Sequence, residues 1–211
     1  MKNFLALDTS NHTLSVVAQK DGKSYSAFIP DCAMKQSTLF MGQIDKVLTQ
    51  ANLSLAECDF FSAVVGAGSF TGIRIGISAI KAFALAYQKP TLPITSFETL
   101  AYNVIEGNKN KVLCLINALH DYYYVCGYVD GKQSIVPSYV AEEEVLKMQR
   151  QGYLLRASEK LPIQAKVEVE YCNPTQGLLS AVLEKSKDST AFGELTALYV
   201  RKSSAELNLC K

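Results

Sequence analysis

A strand that runs into a glycine-rich turn and then into a helix is the feature that most constrains the fold. The strand is apolar over residues 60–65, and the turn over residues 66–72 contains three glycines. Glycine lets a backbone turn tightly and approach a neighbour closely, and the N-terminus of the helix offers unpaired N–H groups to an anion. Ser69 or Thr71 can cap that helix. The segment is therefore either an anion cradle or a packing elbow, by which we mean a tight turn whose glycines let the helix pack directly on a neighbouring backbone. It matches neither the P-loop nor the dinucleotide-binding pattern.

The composition predicts a globular protein that does not hold a nucleic-acid backbone by charge alone. The chain has 211 residues, of which 48% are hydrophobic, and its net charge is +1. Such an apolar content supports a core of one or two small domains. The lysines and arginines are scattered rather than arranged in a stripe, so any contact with RNA is expected to be shared or indirect.

The cysteines and the first residues predict a cytoplasmic location without a membrane anchor. Asp8 interrupts the N-terminal apolar stretch before a signal-peptide core can form. The longest uncharged run near residues 60–73 is short and broken by glycine. No cysteine pair has C-x-x-C spacing, so we expect free and mostly buried thiols at Cys32, Cys58, Cys114, Cys126, Cys172 and Cys210.

The order of predicted elements repeats. Strands are expected near residues 3–8, 13–18, 23–29, 60–65 and 91–95, with helices over about 35–51, from 71 to 87 and from 96. The second half begins again with strands over 112–116, 122–129 and 134–139, a helix over 142–151 and a strand over 153–156. We therefore predict an α/β protein with two duplicated β-β-β-α-β-α subdomains, at residues 1–106 and 107–211, of the actin, Hsp70 and sugar-kinase type.

Four segments resemble the TsaB (YeaZ) family, whose members belong to the bacterial machinery for N6-threonylcarbamoyladenosine in tRNA. The turn Gly-Ala-Gly-Ser-Phe-Thr-Gly-Ile-Arg is similar to that family's Gly-Pro-Gly-Ser-Phe-Thr-Gly-Leu-Arg. The opening Leu-Asp-Thr-Ser, the segment Ser-Phe-Glu-Thr-Leu-Ala at residues 96–101 and the late Leu-Tyr-Val-Arg at residues 198–201 also resemble it. The resemblance is strong over the first hundred residues and independently implies the actin-like fold.

A remnant of a nucleotide site is one interpretation of the first turn. Actin-like folds grip ATP phosphates with the turn between their first two strands and with a similar turn in the second half. The first turn is Asp8-Thr9-Ser10, although a hairpin held by side-chain hydrogen bonds explains it better. The second turn, over residues 117–121, contains no glycine that would admit a phosphate. The candidates for this remnant are Asp8, Ser10, Gly66, Gly68, Ser69, Thr71, Gly72 and Arg74.

Metal and nucleophilic catalysis are not expected in this chain. The catalytic relatives of the family carry two histidines one helical turn apart, whereas the corresponding positions here hold Gln36 and Phe40. The two histidines, His12 and His120, are expected in turns, and no base is evident for Ser69 as a nucleophile. We therefore predict no catalytic residue, no metal and no cofactor in this chain.

The two long helices of the first half are candidates for binding a partner. The helix over 71–87 is apolar nearly all the way round, which indicates burial on more than one side. A core helix has the same pattern, so both interpretations remain open. The candidate partner-binding residues are Gln36, Leu39, Phe40, Gln43, Ile44, Val47, Ile73, Ile77, Ile80, Lys81 and Ala84.

The resemblance implies that these helices pack against matching helices of a catalytic relative, TsaD, or of a second copy of the chain. In that picture TsaD holds ATP and metal and modifies the adenosine beside the anticodon, and an ATPase, TsaE, binds the pair. This chain would be a scaffold and activator that meets tRNA only through the complex. Three departures from the family pattern are Ala67 for proline, Gln36 at the start of the first helix and Asn117-Ala118-Leu119. The alternatives are an actin-fold ATP-binding phosphotransferase and a peptidase of the glycoprotease-like superfamily.

Overall fold

The structure is a computed structural model, and it describes residues 2–33, 35–103 and 111–201. The first half contains β1 (Phe4–Asp8), β2 (Leu14–Lys20), β3 (Lys23–Ile29), α1 (Gln36–Ala51), β4 (Phe60–Val64), α2 (Phe70–Tyr87), β5 (Thr91–Ile94) and α3 (Ser96–Ala101). The second half contains β6 (Lys111–Asn117), β7 (Tyr122–Val129), β8 (Lys132–Ala141), α4 (Glu142–Arg150), β9 (Leu154–Ala157), β10 (Glu170–Tyr171) and α5 (Pro174–Lys185).

The two sheets have the same topology. The first has the order β3-β2-β1-β4-β5, and the second has the order β8-β7-β6-β9-β10. In each sheet the first three strands are antiparallel neighbours and the last two are added in parallel. This repeated order confirms the prediction of a duplicated α/β fold, although the two halves share no evident sequence repeat.

Helices α1 and α2 cover one face of the first sheet. Their inward side chains join strand residues such as Leu5, Leu7 and Phe61 in one cluster. The glycine-rich turn sets the start of α2, and Ser69 caps it by accepting a hydrogen bond from the backbone N–H of Gly72 over 3.3 Å. Of the two capping residues that the sequence allowed, the structure uses Ser69.

The last helices of the two halves are exchanged between the sheets. Helix α5, from the second half, covers the other face of the first sheet, where Leu178 and Val182 pack with Phe60. Helix α3, from the first half, packs Phe97 and Leu100 on the second sheet. The predicted boundary between residues 106 and 107 falls in 104–110, outside the described residues, and stays a prediction.

The thiols match the expectation for the part of the chain that the structure describes. Cys32, Cys58, Cys114, Cys126 and Cys172 are free and buried, while Cys210 lies outside the described residues. Burial raises the pKa of Cys58 to about 12 and that of Cys126 and Cys172 to about 11. Such thiols carry little thiolate at neutral pH and are therefore poor nucleophiles.

Candidate functional site

The glycine-rich turn is a packing elbow against the first turn of the chain. A Cβ atom on Gly68 would lie 2.2 Å from the carbonyl oxygen of Ser10, and one on Gly72 would lie 2.0 Å from that of Thr9. One turn further along α2, a Cβ on Gly76 would lie 2.6 Å from Thr9 Oγ1. These glycines therefore let α2 pack directly on the turn after β1, which is the second of the two interpretations that the sequence allowed.

Hydrogen bonds between the two turns already use two donors that a phosphate would need, the backbone N–H of Ser69 and the hydroxyl of Thr9. The backbone N–H of Ser69 donates to the carbonyl oxygen of Ser10 over 2.6 Å. The hydroxyl of Thr9 donates to the carbonyl oxygen of Gly72 over 2.7 Å and is fully buried. On the far side, a Cβ on Gly66 would meet the carbonyl oxygen of Leu198 at 2.6 Å, so the segment after α5 fills that space.

Asp8 is a buried carboxylate that holds its own turn together. It accepts hydrogen bonds from the backbone N–H of Ser10 over 2.8 Å and from the Ser10 hydroxyl over 2.7 Å. The hydroxyl of Ser96 donates to the carbonyl oxygen of Ala67 over 2.6 Å, and its oxygen lies 3.1 Å from that of the Ser10 hydroxyl. Burial raises the pKa of the Asp8 carboxyl, and the bonds from Ser10 oppose that rise. This geometry agrees with the hairpin interpretation of the turn.

Two of the eight candidates for a nucleotide remnant lie away from this network. Thr71 is exposed in the first turn of α2. Arg74 is also exposed; its guanidinium lies 3.7 Å from the centre of the Phe70 ring, and its Nε donates to the hydroxyl of Tyr199 over 3.0 Å. Neither belongs with the buried Asp8, so the candidates do not form one site.

A cleft of about 520 Å³ separates the two halves at the first and second turns. His12 lies there with its Nδ1 3.4 Å from Glu159 Oε2. In the second turn Leu119, His120 and Asp121 all have positive φ, at 66°, 53° and 59°. The cleft is lined by Asn11, His12, Ala33, Gly68, Ser69, Asn117, Ala118, Leu119, Tyr124 and Glu159.

No metal-ligand cluster stands out in the described ranges 2–33, 35–103 and 111–201. They contain no group of three or more His, Cys, Asp or Glu side chains that could hold a metal ion. His12 has carboxylate oxygens of Asp31 and Glu159 within 4.0 Å. His12 and Glu159 line the cleft, whereas Asp31 lies in the loop after β3. The contact with Glu159 joins the β1–β2 turn to the second half of the chain.

Six of the predicted partner-binding side chains are buried within the chain itself, which differs from the prediction. Five of them, Ile44, Val47, Ile73, Ile77 and Ile80, are at most 8% exposed and face the first sheet. The sixth, Gln36, is buried where its Nε2 donates to the carbonyl oxygens of Asn11 and Thr13. The reason is that the most apolar side of each helix packs against the sheet.

The other five predicted residues lie nearer the surface. Leu39, Phe40 and Ala84 are half-buried beside the core, and Gln43 is half-buried with no donor for its amide oxygen among the described residues. Lys81 is exposed and forms a 3.0 Å ion pair with Glu194.

A second apolar stripe, which the sequence interpretation missed, faces away from the sheet. We call it the outer face of α1 and α2 and define it by Met41, Ile75, Ser78, Ala82 and Leu85. Leu85 is 82% exposed. The signal that could have revealed this face is the spacing of Ile75, Ser78, Ala82 and Leu85, which follow one another at intervals of three, four and three residues and so share one side of the helix.

Helix α2 is unusually apolar for its exposure. Among the described helices it has the length and composition to cross a membrane, with a mean hydropathy of 1.3, yet only 28% of its residues are buried. A core helix would be mostly buried. Its apolar surface is therefore only partly covered by the described chain.

Comparisons with known proteins agree with this architecture. A family model described as TsaD: tRNA N6-adenosine threonylcarbamoyltransferase matches residues 13–206. The tRNA threonylcarbamoyladenosine biosynthesis protein TsaB of Escherichia coli is 29% identical over 133 residues, which cover 63% of this chain and 57% of that protein. The TsaB protein of Bacillus subtilis is 29% identical over 100 residues, or 47% of this chain and 44% of that protein.

A solved structure supports the fold. The solved structure of YeaZ from Pseudomonas aeruginosa has a TM-score of 0.73 and 22% identity, and the match covers 94% of this chain and all of that one. The chain spans about half the length of the curated relatives that it matches. Since the family model covers most of the sequence and the curated relatives are TsaB proteins, the chain belongs to the TsaD family of threonylcarbamoyltransferases and, within it, to the TsaB (YeaZ) proteins.

Proposed function

We propose that this chain is a non-catalytic subunit that pairs with a TsaD-like catalytic subunit in threonylcarbamoyladenosine modification of tRNA. The outer face of α1 and α2 is the docking surface in this proposal. The catalytic partner would hold ATP and metal, and a TsaE-like ATPase would bind the pair in the cytoplasm. A second copy of the chain would dock on the same face when the partner is missing.

The single observation that carries the proposal is the uncovered apolar surface of α2. Between Arg74 and Lys81 the helix has no charged side chain, and both of those charges lie toward the segment after α5. Ser78 and Ala82 are small and exposed, which lets another helix approach closely. Leu85 and Met41 supply large exposed apolar side chains to the face. Small residues let two helices approach closely and large apolar residues bury area between them, so this combination suits a helix–helix junction.

The geometry of the elbow supports a subunit that does not itself transfer the group. On the side where a Cβ would project from Gly68 and Gly72, the carbonyl oxygens of Ser10 and Thr9 fill the space and would repel a phosphate. The Asp8 carboxylate accepts hydrogen bonds from the backbone N–H and the hydroxyl of Ser10, so it is engaged within its own turn. The E. coli and B. subtilis relatives are named for the same biosynthetic pathway.

Pairing is tested with charge substitutions on the outer face. Leu85→Glu and Ala82→Glu place a carboxylate at exposed positions, so the free chain should keep its fold. In the pair the same carboxylate would be desolvated without a partner, which costs about 2–5 kcal/mol, or at least about thirtyfold in affinity. Val136→Glu, at an exposed position of β8, is the matched control and should leave the affinity unchanged. Affinity is measured by sedimentation of the full chain with the TsaD-like subunit of the same genome.

Function is tested by nucleoside mass spectrometry of bulk tRNA. Threonylcarbamoyladenosine should fall in cells depleted of the chain and return with the wild-type protein or Val136→Glu, but not with Leu85→Glu. Normal modification without the chain would refute the proposal. ATP binding that weakens in Asp8→Asn would then favour the phosphotransferase, and proteolysis by the isolated chain would favour the peptidase.

A further inference from the structure

An arginine–aromatic strip lies beside the cleft, because Phe70 follows the lining residue Ser69 and Tyr139 packs on the lining residue Tyr124. It is assembled from the start of α2, from β7 and β8, and from the segment after α5. Its members are Phe70, Arg74, Tyr122, Tyr139, Tyr199 and Arg201.

The strip consists of two clusters of the same kind. In the first, the ring of Phe70 stacks on that of Tyr199 with centres 5.0 Å apart, and Arg74 contacts both. In the second, Tyr139 and Tyr122 stack with centres 4.7 Å apart at an interplanar angle of 7°.

Arg201 completes the second cluster. Its guanidinium lies 4.9 Å from the centre of the Tyr139 ring and donates to that hydroxyl over 3.2 Å. Each cluster therefore combines a guanidinium with a stacked pair of rings.

The segment after α5 joins the two clusters. Leu198 and Val200 point inward, where they pack against the cluster of Phe97 and Leu100. Because alternate residues of an extended segment face opposite sides, Tyr199 and Arg201 both point outward. The two clusters thus form one continuous surface.

The exposed rings leave open faces for a ligand. Tyr122 is 39% exposed and Tyr199 is 41% exposed, although each already stacks on a neighbour through one face. Tyr124, which lies 5.7 Å from Tyr139 between ring centres, lines the cleft itself. The strip therefore continues into the space between the two halves.

The two guanidinium groups keep their charge available. Within the described ranges, neither Arg74 nor Arg201 has a carboxylate within 4.0 Å. Arg156 differs from these two arginines, because it is buried and forms an ion pair with Glu170 at 3.0 Å. A cationic surface with stacked aromatic rings complements an anionic chain of unstacked bases.

We propose that this strip binds the unpaired bases of an RNA loop. The open faces of Tyr122 and Tyr199 take bases by stacking, and the guanidiniums attract the phosphates between them. Asp121 precedes Tyr122 and is exposed, so stacking rather than phosphate contact dominates at that end. The inference rests on the proposed function, and it assigns to this chain a direct contact with the RNA that sequence analysis expected only through the complex.

The test uses the full chain in complex with the TsaD-like subunit. Binding of a fluorescent anticodon stem-loop RNA is followed by anisotropy and compared with that of a fully paired RNA hairpin of the same length. Tyr122→Ala should weaken stem-loop binding about tenfold and leave the weaker hairpin binding unchanged. Tyr171→Ala removes another exposed tyrosine, from β10, and is the control for Tyr122→Ala. Arg150→Gln, at an exposed position of α4, is the control for Arg201→Gln.

Crosslinking locates the contact directly. A stem-loop with 5-iodouridine in the loop should crosslink to peptides that contain Tyr122, Tyr139 or Tyr199, and one with the label in the stem should not. Crosslinks found only elsewhere, equal effects on loop and hairpin, or an unchanged affinity of Tyr122→Ala would each overturn the proposal.

Pairing with the catalytic subunit is measured on the same samples. If Tyr122→Ala abolishes pairing, the strip is a protein interface and the RNA proposal is overturned. If the wild-type chain does not pair at all, the proposed function fails, and the loop RNA is then titrated into the chain alone. Loss of that binding in Tyr122→Ala would still support the strip, whereas unchanged binding would reject it.

Discussion

Replacing Gly76 by alanine tests the packing elbow, because an identical change is available at a site without neighbours. Gly76 and Gly42 both lie inside long helices, α2 and α1. A Cβ on Gly76 would lie 2.6 Å from Thr9 Oγ1, whereas a Cβ on Gly42 would have nothing within 4 Å. Alanine favours a helix over glycine by about 1 kcal/mol at either site. The difference between the two variants therefore isolates the contact with Thr9.

The expected effects have opposite signs. Gly42→Ala should raise the free energy of unfolding by about 0.5–1 kcal/mol. At Gly76 the extra methyl overlaps a buried hydroxyl, and overpacking of this kind costs about 1–3 kcal/mol. The hydrogen bond from Thr9 to the carbonyl oxygen of Gly72 is also disturbed, at a cost of about 1 kcal/mol. After the helix gain of about 1 kcal/mol is subtracted, Gly76→Ala should lower the free energy of unfolding by about 1–3 kcal/mol.

A double-mutant cycle shows whether the hydroxyl is responsible. Without Oγ1, the nearest atom of residue 9 to the new methyl is Cβ, at 3.9 Å, which is an ordinary contact. Thr9→Ala should therefore rescue Gly76→Ala, with a coupling free energy of about 1–3 kcal/mol. Urea unfolding followed by circular dichroism measures each variant, and melting temperatures should move by about 2–4 °C per kcal/mol. If Gly76→Ala stabilises as much as Gly42→Ala, or if the cycle shows no coupling, the elbow interpretation is refuted.

Three further predictions concern buried groups and a cap. Burial raises the pKa of Asp8 above its ordinary value of 3.8. Between 3.8 and the raised pKa the native state therefore binds a proton that the unfolded state has lost, and the free energy of unfolding falls as the pH rises through this range. Asp8→Asn should remove that fall in urea titrations across pH, and an unchanged pH profile would contradict this prediction. The buried thiols of Cys58 and Cys126 should react with Ellman's reagent only upon unfolding, because their raised pKa leaves little thiolate; rapid reaction of the native protein would be the contrary result. The hydroxyl of Thr95 caps α3 by accepting a hydrogen bond from the backbone N–H of Glu98 over 3.1 Å. Thr95→Ala removes this cap and should lower the free energy of unfolding by about 1 kcal/mol. Thr95→Ser keeps the cap and is the control.

The fold was accessible from sequence where local signals were strong. The Asp-Gly turn between β2 and β3 and the glycines before α2 marked element boundaries through backbone conformations that few other residues adopt. Helix α5 was missed, although Asn173 caps it and Pro174 occupies its first turn. Its apolar residues lie together at positions 178, 179 and 181–183 rather than at helical spacing along the whole segment, so the periodic signal was weak.

The placement of the candidate site was less accessible. In α2 nearly every position is apolar, so the sequence could not show which side of the helix packs against the sheet. Ile73, Ile77 and Ile80 were therefore predicted to contact a partner, whereas they are buried against the sheet. The arginine–aromatic strip joins Arg74 to Tyr199 across more than a hundred residues. Contacts between residues so far apart in sequence depend on how the two halves of the chain pack together, and no local sequence pattern predicts that packing.

The exchange of α3 and α5 has a consequence for synthesis on the ribosome. When residues 2–101 have emerged, the first sheet has strands and two helices, but Phe4 and Phe60 still expose the face that α5 later covers. The nascent chain must hold that apolar face in water until residues 174–185 leave the exit tunnel. Stalling in the second half would therefore produce an aggregation-prone species. Supplying the missing fragment in trans, by contrast, should restore a soluble, native-like assembly.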